Sequence, residues 1–74
     1  MNHSKIHVQY RDGSKASGAR VVLSFGSLGV TKPAFTDRYG VAIVKHETTG
    51  QATVIVRGTS RGTLRAPGET VVFV

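Results

Sequence analysis

Three arginines fall within nine consecutive residues of this chain, in Arg57-Gly58-Thr59-Ser60-Arg61-Gly62-Thr63-Leu64-Arg65. A guanidinium group presents its N–H donors as a planar fork that matches phosphate, sulfate or carboxylate oxygens. Spaced by glycine and hydroxyl residues, the stretch reads as a pliable loop whose side chains and free N–H groups can hold an anion. Arg57, Arg61 and Arg65 are therefore the candidate anion-binding set, joined by Lys32 from a second glycine-containing segment. The plainer reading is a solvated surface that keeps a small protein soluble and discourages edge pairing. No aromatic residue interleaves with these arginines, which argues against the base stacking that single-strand binders use.

The other chemistry-bearing residues give weaker signals. His3 and His7 share one side of an extended strand, and His46-Glu47 falls near a strand end. A zinc site needs three or four ligands converging at about 2 Å. The histidine spacing fits no such set, so all three are expected as solvated surface residues, without a metal or other cofactor. The carboxylates are Asp12, Asp37, Glu47 and Glu69. Acid–base catalysis by a carboxylate pair requires a cleft that fixes their separation and moves their pKa values apart. Turn chemistry already accounts for Asp12 and Asp37. The serines lack the strand–turn–helix context of an activated nucleophile. Residues 26–32, Gly-Ser-Leu-Gly-Val-Thr-Lys, lack the full phosphate-loop pattern and no helix follows them. No catalytic residue is expected.

Composition narrows the partners. A net charge of +6 and a pI near 10.6 favour anionic partners in general, nucleic acid or another polyanion among them. Zero cysteines exclude disulfides and cysteine-ligated metals. The longest apolar run, residues 41–44, is far short of the ~20 that a membrane helix needs, so no membrane insertion is expected. The opening Met1-Asn2-His3-Ser4-Lys5 is unlike a signal peptide. The expected location is cytoplasmic if the chain is complete, and otherwise that of a domain excised from an exported protein.

Nine glycines interrupt every window long enough for a helix, while period-two alternation recurs. Ile6, Val8 and Tyr10 alternate with His7 and Gln9. Residues 20–25, 34–36, 41–45, 52–57 and 71–74 read as further strands, with Thr63-Leu64 a possible extra one. Asp12-Gly13 and Asp37-Arg38-Tyr39-Gly40 supply turns. The expectation is a single domain, residues 1–74, folded as an all-β, small antiparallel β-sandwich of six or seven short strands. Ile6, Val8, Val21, Leu23, Val54 and Val56 should form its core. Either Val41 and Ile43 or Ala42 and Val44 must then face outward. Val22, Ile43 and Ile55 are the candidate protein-interaction face, for a protein partner or for self-association.

One set of segments resembles a known family. Asp12-Gly13, Gly18-Ala19-Arg20-Val21-Val22-Leu23, Thr36-Asp37-Arg38-Tyr39-Gly40 and Gly50-Gln51-Ala52-Thr53-Val54-Ile55-Val56 are similar to carboxypeptidase regulatory-like domains. The resemblance covers about residues 6–57 and implies a transthyretin/immunoglobulin-like sandwich. Family members commonly carry proline near Ala16-Ser17 and large aromatics at the places of Ala42 and Ala52. The departure implies a core that is either thinner than usual or filled from elsewhere by Phe25, Phe35 or Phe73. The resemblance implies a folding, spacing or docking unit without an active site of its own.

Overall fold

Alternating side chains give this chain its strands. The computed structural model describes residues 1–74 as β1 (Asn2–Gln9), β2 (Arg20–Ser24), β3 (Ala34–Phe35), β4 (Val41–His46), β5 (Gly50–Val56), β6 (Thr59–Ala66) and β7 (Glu69–Phe73). A single 3-10 turn spans Gly26–Leu28. The strands form two sheets, β4-β1-β7 and β3-β2-β5-β6, which face each other as a small all-β sandwich. Four of the pairings are antiparallel, but β7 runs parallel to β1. Parallel neighbours cannot be joined by a tight hairpin. Here the intervening chain builds the entire second sheet before β7 returns to the first.

The core lies between the inner faces. Ile6, Val8, Val21, Leu23, Val54 and Val56 are all fully buried there, as alternation predicts. Register decides the two alternatives at β4. Ile6 pairs with Ala42 and Ser4 with Val44, so Ala42 and Val44 face inward while Val41 and Ile43 face out. Ala16, Ala19, Ala52, Leu64, Ala66 and Val72 complete the core. Of the three phenylalanines, Phe25 alone packs into it. Phe35 pairs with outward-facing Arg20, and Phe73 lies beside outward-facing Gln9, so both rings point to solvent.

Asp12-Gly13 makes a turn but not a hairpin between β1 and β2. Tyr10 N–H donates to the Ser14 carbonyl and Gly13 N–H to that of Tyr10, both at 2.9 Å. The chain then crosses to the other sheet, where β2 pairs with β3 and β5. A buried threonine fixes this crossing. Thr36 Oγ1 accepts the Ala19 N–H at 2.8 Å and donates to the Ala16 carbonyl at 2.6 Å. The Asp37 turn forms as the sequence indicates, with Oδ1 accepting N–H groups of Tyr39 and Val41. Gly40 closes it with φ at 74°. A Cβ at that position would stand 2.6 Å from the Val8 carbonyl oxygen, so two backbones meet where only glycine fits.

The arginine-rich stretch is a strand hairpin rather than a loop. Arg57 and Gly58 form a two-residue turn with φ values of 53° and 83°, the left-handed pair that matches strand twist. β6 then runs back along β5 as the edge of the four-stranded sheet. The register slips between Val54 and Ile55, which face Gly62 and Ser60, and this bulge leaves Arg61 without a cross-strand partner. Gly62 hides the alternation in the sequence, because the inward side of β6 carries only Leu64 and Ala66 as buried side chains.

Candidate anion-binding site

Each sheet has two edges, and the edges meet in pairs. β3 approaches β4 on one side of the sandwich, and β6 approaches β7 on the other. A groove lies at each seam. The first, about 430 Å³, has Lys32, Lys45, Ile43, His46 and Glu47 among its lining residues. The second, about 530 Å³, is formed by Arg11, Arg61, Val71, Val72 and Phe73. Val71 and Phe73 are half-exposed there, at 47% and 51%.

The expected anion-binding set therefore divides. Lys32 belongs to the first seam and Arg61 to the second. Arg57 occupies the hairpin turn, where its Nη2 donates to the Tyr10 hydroxyl at 3.3 Å and its guanidinium stands 5.8 Å from the Tyr10 ring centre. Arg65 lies opposite Gln51, four residues along β6 from Arg61 and about 13 Å away at strand rise. Arg57 and Arg61 share one end of the molecule with Arg11, which the sequence reading overlooks. The parallel pairing is what brings Arg11 in. It sets Gln9 beside Phe73, and Val74 N–H donates to the Gln9 carbonyl at 2.9 Å. The residues that leave β1 thus flank the end of β7. Aromatic rings absent between the arginines in sequence are present beside them in space, as Tyr10 and Phe73.

The charge of this surface is not neutralised internally. The one close acid–base pair is His7 Nε2 with Glu69 Oε2, and no lysine or arginine is ion-paired. Asp12 is occupied by Ser14, whose hydroxyl and N–H donate to Oδ1 at 2.7 and 2.9 Å. The Ser14 hydroxyl, followed by its N–H, holds the Asp12 carboxyl below the usual carboxylate value.

The candidate protein-interaction residues do not share one face. Val22 and Ile55 are cross-strand partners on the outer side of the four-stranded sheet, and Val22 is only 6% exposed. Ile43 is exposed on the other sheet. There, Val41 and Ile43 are separated from Val71 and Phe73 by the outward stripe His3, Lys5, His7 and Gln9 of β1.

The histidines depart from expectation at one position. His3 and His7 face outward along β1, but His46 is buried. The Thr48 carbonyl can only accept, so His46 Nδ1–H donates to it at 2.7 Å. Nε2 is then free to accept the Ser4 hydroxyl at 2.7 Å, while Ser4 Oγ accepts the Gly68 N–H at 3.2 Å. This order of groups is that of a serine activated by histidine. Ser4, however, is 1% exposed, and its oxygen joins β1, β4 and the β6–β7 turn rather than opening to a cleft. No three histidine or carboxylate side chains converge as metal ligands, and no helix is long and apolar enough to cross a membrane. Comparison with family models, curated proteins and solved structures finds no match, so the likeness to carboxypeptidase regulatory-like domains rests on the residues quoted for it.

Proposed function

We propose that this protein is a non-enzymatic β-sandwich module that docks onto an anionic partner through its cationic surface. One observation carries the reading: ten lysines and arginines stand on a domain of this size, and none has a carboxylate partner. A cation already paired inside its own protein must give up that contact before it binds another anion. Unpaired cations exchange only water and counterions, and their summed field draws a polyanion in. Both seams place two such cations beside apolar side chains, a combination suited to attachment. The resemblance to carboxypeptidase regulatory-like domains supports the same class, a docking unit without its own chemistry.

Binding to heparin, a polyanion with no bases, tests this directly. Affinity should fall linearly on a log–log scale as salt rises, losing one to several orders of magnitude between about 50 and 200 mM. The double variant R57Q/R61Q should bind more weakly with a shallower slope. Failure to bind heparin at low salt, or binding indifferent to salt, would overturn the proposal.

A further inference from the structure

We infer that the β6–β7 groove is a binding site for single-stranded nucleic acid. The inference rests on the polyanion reading above and specifies which polyanion the groove fits. Arg11 and Arg61 line it, and Val71, Val72 and Phe73 supply its apolar surface. Arg57 and Tyr10 extend the same end of the sandwich, because Gln9 meets Phe73 across the sheet and Arg57 bonds the Tyr10 hydroxyl. Two exposed aromatic rings thus stand among three unpaired guanidinium groups.

Each component has a counterpart in a nucleotide strand. Guanidinium forks take phosphate oxygens, and a half-exposed phenyl ring offers a stacking surface for a base. Duplex nucleic acid keeps its base faces stacked inside and would meet this site through phosphates alone, leaving Phe73 unused. A polycarboxylate would satisfy the arginines but offers no ring to stack. The opposite seam makes the contrast within one molecule: it has two lysines, but Glu47 shares its lining and no phenylalanine, tyrosine or tryptophan does. Its charge is mixed and it has no comparable ring. Of the two grooves, only the one between β6 and β7 has a lining that combines cations and a phenyl ring with no carboxylate side chain.

The test is fluorescence anisotropy with a labelled oligothymidylate, against a duplex of equal length, polyglutamate and heparin at matched salt. The single strand should bind more tightly than the duplex or polyglutamate. Phe73→Ala should weaken it about 5- to 150-fold with an unchanged salt slope, as loss of one stacked base requires. Phe73→Leu, which keeps apolar bulk but removes the ring, should show the same loss and guards against a folding defect. Arg61→Gln should reduce both affinity and salt slope, the slope by about one. Equal binding of single strand and polyglutamate, or full affinity in the folded Phe73→Leu variant, would overturn the single-strand site while leaving the polyanion reading intact. No binding of heparin or oligonucleotide at low salt would remove both.

Discussion

Thr36 shows how much one hydroxyl can organise. It is buried and joins two backbone segments, accepting from Ala19 N–H and donating to the Ala16 carbonyl. Thr36→Val keeps the shape but leaves the buried Ala19 N–H unpaired. It should cost about 1–3 kcal/mol in denaturant unfolding, whereas Thr36→Ser should lie near the parent protein. Asp12 makes a pH-dependent contribution of known sign. Its folded carboxyl is depressed by Ser14, so the stabilisation is present above the unfolded value and lost as pH falls through the folded one. In an NMR titration, Ser14→Ala should return the Asp12 midpoint upward towards the ordinary carboxylate value. An unmoved midpoint would show that the Ser14 hydroxyl is not the main cause. His46 carries a lesson about reading single residues. In sequence it stands between Lys45 and Glu47, polar residues after an apolar run. Its burial is possible because both ring nitrogens are hydrogen-bonded, to Ser4 and Thr48, with the Gly68 N–H completing Ser4.

At the scale of elements, turns and strands differ in how openly the sequence displays them. β1, β2, β4 and β5 were legible because their inward residues, apart from Ser4 and His46, are aliphatic and recur at period two. β6 was not, since small residues occupy part of its inward side and its polar alternation resembles a loop. Turn chemistry was legible as a reversal, yet Asp12-Gly13 does not tell which strands the reversal joins. Gly40 is the turn position under tightest constraint. Gly40→Ala must either push Cβ against the Val8 carbonyl or move β1, and should cost at least about 2 kcal/mol by chemical denaturation. The β5–β6 turn behaves oppositely. Arg57 is the one non-glycine residue with positive φ, a conformation that asparagine tolerates better. Arg57→Asn should raise stability by up to about 1 kcal/mol, a Tm gain of a few degrees, while weakening polyanion binding. A variant both less stable and equally tight in binding would show that Arg57 serves the fold rather than the site.

For the whole molecule, the arrangement of charge depends on topology more than on local sequence. Arg57 and Arg61 announce themselves by spacing, whereas Arg11, Tyr10 and Phe73 join them only through a pairing between the two ends of the chain. Such a pairing is decided by how two sheets cover one core, and no local pattern encodes it. The same pairing has a mechanical consequence. β1 enters the sheet at one pole of the domain, and the parallel β7 leaves at the other. Tension applied through the two termini therefore slides the strands lengthwise past each other. The rungs from Lys5–Glu69 to Gln9–Phe73 bear this load together rather than one after another. Tension applied across the β5–β6 hairpin at Gly50 and Ala66 would instead open its rungs in turn, from the open end towards Gly58. In an optical trap, the domain should yield at markedly higher force when held by its ends than when held by that hairpin. Equal forces in the two geometries would mean that the β1–β7 contact does not carry the load. The fold is thus built to resist a pull along β1 and β7 better than a pull across the β5–β6 hairpin.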